Sequence, residues 1–195
     1  MPRDLVIATH NQGKVKEIAA LLKDLPYKVL SLDNVEEKVE APEETGDTYE
    51  ENALIKARAI GEALGKLVVA DDSGLEVEML PDELGVKSAR YAPGTDADRN
   101  QKLLDALRQE TNRKAAFVCC IVLYDPETKK HKTFFGDMPG TIAEEVQGEE
   151  GFGYDPVFIP EGYDKTNALL GAKVKNKISH RAKALAELKR YLKES

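Results

Sequence analysis

The stretch that decides the fold is Leu67-Val68-Val69-Ala70-Asp71-Asp72-Ser73-Gly74-Leu75. Its valine-rich start predicts a short buried strand. Two adjacent carboxylates and a Ser-Gly pair follow, and the reading ends the strand there. Side chains alternate between the faces of a strand, so Asp71 and Asp72 cannot both enter one core. At least one then faces the space beyond the strand end, which in an open α/β sheet is the usual ligand crevice. A carboxylate there can hold a divalent cation or take a proton from water. A polar turn is the plainer alternative, because Asp, Ser and Gly are ordinary turn residues.

Upstream of this stretch, the 49–64 segment has helical spacing along Tyr49, Ala53, Ala57, Ile60 and Leu64. Thr48 and Glu51 form a capping box at its start, and Gly65 ends it. Lys56 falls off this stripe and reads as a solvated lysine unless the helix borders the site, where it would join Lys14 in offsetting phosphate charge. Before the helix, acids run from Glu36 to Glu44 and close in the loop Ala41-Pro42-Glu43-Glu44-Thr45-Gly46-Asp47-Thr48. Carboxylates from this loop and from Asp71/Asp72 suit one Mg²⁺, which takes one or two carboxylates plus water and substrate phosphates. Further upstream, Leu5-Val6-Ile7-Ala8 is a strand that runs into Thr9-His10-Asn11-Gln12-Gly13-Lys14 and then a helix carrying Val15, Ile18 and Leu22. A polar loop at a helix N-terminus suits an anion, with free N–H groups, the positive dipole end and Lys14 facing it. Walker A spacing is absent. Residues 28–31 read as a second strand.

Downstream, 75–80 reads as another strand and 87–94 as a loop. Thr95 caps a helix carrying Leu103, Leu104 and Leu107. Residues 115–124 form a long apolar strand, 131–135 its hairpin partner, and 140–143 a further strand. This middle part is antiparallel in style, unlike the start. The expectation is a single domain over residues 1–195: a mixed α/β sheet in two lobes with an active-site cleft between them. Gly148-Glu149-Glu150-Gly151-Phe152-Gly153-Tyr154-Asp155-Pro156 sets aromatics among glycines, a platform on which a purine can stack or an anchor for a turn. Lys173, Lys175 and Lys177 precede Ser179, read as the N-cap of a terminal helix with Ala182, Leu185, Leu188 and Leu192 as its buried stripe. His180 and Arg181 then fall in the first turn, where cations oppose the helix dipole. Their placement points to an anion or a base edge.

The chain has 195 residues, 42% hydrophobic and 32% charged, with net charge −7. That is enough apolar material for a core, and the charges are mixed in sign, so disorder is not indicated. Such a charge argues against nucleic acid and anionic membranes as general partners. No apolar run approaches the roughly 20 residues of a membrane span. The N-terminal Met1-Pro2-Arg3-Asp4 leads directly into a strand without a signal peptide's apolar region. Cys119 and Cys120, adjacent in an apolar run, read as reduced thiols, one in the core and one at the surface. The cytoplasm is the expected location.

Taken in order, Ala8-Thr9-His10-Asn11-Gln12-Gly13-Lys14, Glu43-Glu44-Thr45-Gly46, Glu51-Asn52-Ala53, Ala70-Asp71-Asp72-Ser73-Gly74-Leu75, Ser88-Ala89-Arg90-Tyr91, Gly151-Phe152-Gly153-Tyr154-Asp155-Pro156 and Ser179-His180-Arg181 resemble the non-canonical purine nucleoside triphosphate pyrophosphatases, the inosine/xanthosine triphosphatase family. The resemblance spans nearly the whole chain. It implies Mg²⁺, a homodimer, and hydrolysis of ITP, dITP and XTP to the monophosphate and pyrophosphate. It maps the phosphate loop onto Thr9, His10, Asn11, Gln12, Gly13 and Lys14. It maps the general base, also a metal ligand, onto Asp72, with Ser73 beside the substrate. The other metal ligand falls on Glu43, one residue from Glu44. Base recognition falls on Phe152, Gly153, Tyr154, Asp155, Lys175, His180 and Arg181. His10 stands where many relatives carry a small residue. Two rivals remain: a pyrophosphatase for modified pyrimidine nucleotides, and a purine-nucleotide sensor without catalysis.

Overall fold

Residues 2–194 are described by the computed structural model; Met1, which opens the N-terminal run read above, and Ser195 lie outside them. Among the described residues six strands form one mixed sheet in the order β2-β1-β3-β4-β5-β6. They are β1 (Arg3–Ile7), β2 (Tyr27–Ser31), β3 (Leu67–Val77), β4 (Lys114–Asp125), β5 (Lys130–Ile142) and β6 (Phe158–Pro160). The helices are α1 (Gln12–Leu22), α2 (Tyr49–Leu64), α3 (Asp96–Ala106), α4 (Asn167–Ile178) and α5 (His180–Glu194). β1 pairs in parallel with β2 and β3, and β5 pairs antiparallel with β6. No helix among the described residues is long and apolar enough to cross a membrane.

The chain divides into two compact units. The first takes the residues through Asp72, Cys119–Gly136 and the chain from Arg181; the second takes Ser73–Val118 and Asp137–His180. In the first unit, strand alternation sorts two apolar layers. Leu5, Ile7, Leu67 and Val69 pack with Ile18 and Leu22 of α1 and with Leu185 and Leu188 of α5. Val6, Ala8, Val68 and Ala70 pack with Ala53, Ala57 and Ile60 of α2. Helices thus cover both faces, and this corrects the cysteine reading. Cys119 belongs to one layer, Cys120 to the other, and both are fully buried as free thiols. Burial pushes the Cys120 thiol up to about 12 and Cys119 well above the usual thiol range.

The second unit has its own core, built on Leu75, Val77, Leu103, Leu107, Phe117, Met138, Ile142, Tyr154, Val157 and Phe158. Here two boundaries differ from the sequence reading. β3 does not stop at the aspartates but runs unbroken through Asp71-Asp72-Ser73-Gly74 to Val77. Gly74 permits this, because a Cβ there would lie 2.0 Å from the Gly85 carbonyl oxygen. The Leu75 N–H also bonds to Ser88 Oγ at 2.9 Å. Likewise, 131–135 and 140–142 lie in one strand, β5, which ends before Ala143. Pro139, inside β5, takes part through its carbonyl, which accepts the Glu161 N–H at 2.9 Å. β6 and the twelve-residue α4 escaped the sequence reading. The latter is interrupted at Gly171, where φ is 73°. Ser179 lies between α4 and α5, and its N–H closes α4 on the Lys175 carbonyl at 2.9 Å.

Candidate active site

The residues singled out in the sequence fall into two groups, one in each unit. In the first unit, β1 leads through residues 8–11 into α1. Thr9 Oγ1 accepts the Asn11 N–H at 3.2 Å, and Asn11 caps α1 by accepting the Lys14 N–H at 3.0 Å. Gln12 Nε2 donates to Asp33 at 2.9 Å. His10, Asn11 and Gln12 are exposed, while Thr9, Gly13 and Lys14 are half-buried. The loop is therefore shaped by its own side chains, and α1 presents its N-terminus beside the Lys14 ammonium, which pairs with Asp71.

The alternation that separates the apolar layers also separates the two aspartates. Asp71 shares the parity of Leu67 and Val69 and meets residues of α1 and α5: Lys14 and Arg181, whose Nε lies 3.1 Å from Asp71 Oδ2. The same guanidinium pairs with Glu17 of α1. Burial alone would raise the Asp71 carboxyl, but Arg181 and Lys14 outweigh it and hold the group far below the usual carboxylate range. Arg181, expected at a base edge, is 1% exposed with its guanidinium among these carboxylates.

Asp72 points to the α2 side. Its Oδ1 lies 3.0 Å from Lys56 Nζ, and its Oδ2 accepts from Asn52 at 3.4 Å. Lys56 also donates to Glu44 Oε1 at 3.0 Å. Lys56, which reads as solvated unless its helix borders the site, is 7% exposed. The missed signal was Asn52 and Lys56 at i and i+4, flanking the Ala53/Ala57 stripe and buried with it. The acidic loop is held against α2 at Gly46. Its N–H bonds Asn52 Oδ1 at 2.8 Å, and a Cβ there would lie 2.6 Å from Glu51 Cβ. Glu44, not Glu43, is the acid brought to the Lys56–Asp72 pair; Glu43 is exposed on the same loop. Burial lifts the Asp72 carboxyl above its usual range against the pull of Lys56 and Lys14. Lys56 is depressed by burial but raised more by Asp72 and Glu44, so it stays cationic. The result is a buried carboxylate of enhanced basicity tied through one ammonium to a second carboxylate. Among the described residues no three His, Cys, Asp or Glu side chains form a ready metal cage. Two carboxylates sharing a lysine do fit Mg²⁺, which completes its shell with water and phosphate oxygens.

The second group centres on the 148–157 segment. The Phe152 N–H bonds Asp155 Oδ2 at 3.0 Å, and Lys175 Nζ meets the same oxygen at 2.6 Å. Lys175 Nζ also sits 4.4 Å from the Phe152 ring centroid. Tyr154 is buried and donates its hydroxyl to the Ser88 carbonyl at 2.7 Å, so it anchors the segment. The Asp155 carboxylate, 1% exposed, is spent on the segment's own shape. Phe152 is half-buried. His180 is buried with its ring stacked on Phe117, centroids 5.0 Å apart and planes 9° from parallel. Ser73 is half-buried in β3.

Residues 5–191 match the model of the Ham1 family. The chain belongs to the Ham1 family. It is 46% identical to a protein of Deinococcus deserti named dITP/XTP pyrophosphatase, over 187 residues that cover 95% of this chain and 88% of the relative. A Bacillus subtilis protein of the same name is 46% identical over 194 residues, covering 97% of each. The solved structure of a HAM1 protein from Coxiella burnetii superposes with a TM-score of 0.89 at 41% identity and full coverage of both chains. The Ham1 match takes in both groups of residues described above.

Proposed function

We propose that this chain is a hydrolase that cleaves dITP, ITP and XTP to the nucleoside monophosphate and pyrophosphate, and so removes deaminated purines from the nucleotide pool. The observation that carries the mechanism is the buried Asp72 carboxylate, 3.0 Å from Lys56 and raised in basicity by burial. In this reading Asp72 takes the proton of the attacking water. The water oxygen bonds to the α-phosphorus, and the bond from that phosphorus to the oxygen bridging to the β-phosphate breaks. Pyrophosphate leaves. Lys56 offsets charge at the reacting phosphate, and Lys14 with the α1 N-terminus holds the phosphate tail. Asp72 with Glu44, and with Glu43 on the same loop, would hold Mg²⁺, which supplies charge neutralisation of the triphosphate. The purine is assigned to Phe152, Lys175, His180 and Arg181, with Gly153, Tyr154 and Asp155 shaping the segment. Stacking on Phe152 tolerates any purine, so discrimination falls to donors that accept an oxygen at C6 and reject an amine. The active species is assigned as a Mg²⁺-dependent homodimer in the cytoplasm.

Product analysis on dITP with Mg²⁺ tests this. dIMP and pyrophosphate support it; dIDP and phosphate overturn the bond choice. Faster turnover of dUTP or 5-methyl-UTP favours the pyrimidine rival. Asp72→Asn should keep the fold and lose at least about 100-fold in kcat, in line with removal of a general base. Near-normal pyrophosphate release would remove Asp72 from this role. EDTA should abolish turnover, and sedimentation should give twice the chain mass.

A further inference from the structure

The purine-binding reading leaves a question of rigidity. Gly151 and Gly153 both have positive φ, 88° and 63°, so the aromatic between them stands on backbone with little intrinsic stiffness. Something outside the segment must hold it. α3 supplies the part of that hold that falls on the Gly153 peptide groups. The Gly153 N–H donates to Asp96 Oδ2 at 2.7 Å, and the Gly153 carbonyl accepts from Asn100 Nδ2 at 3.1 Å. Asp96 and Asn100 are four residues apart and so share one face of the helix.

Asn100 is the more telling of the two. It is 3% exposed, and its Oδ1 has no hydrogen-bond partner. The amide cannot be turned to relieve this, because its other end faces a carbonyl that only a donor can satisfy. Asn167, 2% exposed, repeats the pattern: Nδ2 donates to Asp155 Oδ1 at 3.2 Å and its own Oδ1 is unpaired. An unpaired buried acceptor is a cost that an apolar residue would avoid. Two buried asparagines accept that cost, and both spend their donor on the 152–155 segment.

We propose that Asn100 and Asp96 are positioning residues for purine recognition, acting by pinning the Gly153 peptide groups so that the Phe152 ring is presented in one orientation. The inference rests on the purine-binding reading of this segment. Preorganisation of this kind lowers the ordering cost of binding and leaves bond cleavage alone.

The test compares wild type with Asn100→Asp, Asp96→Ala and Asp96→Asn, using dITP and dGTP as substrates. Asn100→Asp has the same shape but no donor for the Gly153 carbonyl. It should raise KM for dITP about five- to tenfold, keep kcat within about twofold, and narrow the dITP/dGTP ratio of kcat/KM, consistent with one lost hydrogen bond. Asp96 is less buried, so Asp96→Ala serves if Asn100→Asp folds poorly. It should show the same split, and Asp96→Asn, which keeps an acceptor for the Gly153 N–H, should restore KM. Unchanged KM in folded Asn100→Asp and Asp96→Ala, a loss carried by kcat instead, or an Asp96→Asn that behaves like Asp96→Ala would each overturn the proposal. Wild-type turnover of dITP is the control: its absence would sink the functional reading itself, whereas turnover with unmoved KM in the variants sinks only this inference.

Discussion

Arg181→Met measures how much the buried Arg181–Asp71 ion pair contributes to stability. Arg181 and Asp71 are each 1% exposed, with Arg181 Nε 3.1 Å from Asp71 Oδ2 and Glu17 on the same guanidinium. Methionine fills similar volume but removes the cation from a buried carboxylate that also pairs with Lys14. Breaking a buried pair by deleting one partner costs about 3–5 kcal/mol, a large share of a total stability on the order of 5–15 kcal/mol. With a urea slope of about 2 kcal/mol/M, the midpoint should fall by about 1.5–2.5 M. The melting temperature should fall by about 6–20 °C for a chain of this size. The pH dependence gives a second reading. Asp71 in the folded state sits below its unfolded value of about 3.9. Its contribution is therefore fully present above about pH 4 and is lost as the pH falls toward the folded value. Because Arg181 is the main cause of that depression, the deficit of Arg181→Met should be largest near pH 7 and shrink below about pH 4. Urea titrations at both pH values measure it. A midpoint within about 0.3 M of wild type at pH 7, or a deficit that grows in acid, would refute the reasoning.

The pH profile of kcat/KM should rise with pH as Asp72 loses its proton. Asp72→Asn should remove that acid limb; an unchanged limb in the variant would exclude Asp72 as the limiting base. Thr48→Ala removes a complete capping box at the start of α2, and calorimetry should show a loss of about 1 kcal/mol, or about 2–4 °C. Gly74→Ala sets a Cβ against the Gly85 carbonyl, backbone on backbone, and should lower stability by more than about 3 kcal/mol or prevent soluble expression; a wild-type urea midpoint would show that the strand has room there.

Much of the local structure was legible because its determinants lie within a few residues. Thr48 with Glu51 announced α2, and Gly65, at φ 61°, ended it. Thr95 marked the start of α3, where Asp98 completes a second capping box. The parity of Asp71 and Asp72 followed from strand geometry. The end of β3 was misread, because Asp-Asp-Ser-Gly is turn chemistry by local rules; what carries the strand onward is the approach of Gly85 and the Ser88 hydroxyl from more than ten residues away. α4 was missed because Gly171 and a run of lysines mask a short helical pattern.

By itself, then, the sequence determined where α2 starts and stops, where α3 begins, which strand faces are apolar, and that the two aspartates of β3 cannot share one face. Those are consequences of backbone period and capping chemistry, both local. Only the tertiary structure decided their partners: Asp71 to Lys14 and Arg181, Asp72 to Lys56 and through it to Glu44, and Gly153 to Asp96 and Asn100. Ion pairs and buried hydrogen bonds depend on distances between atoms from separate elements. A lysine reads as solvated until packing brings it two carboxylates, and packing is set by the whole core rather than by the residues beside it.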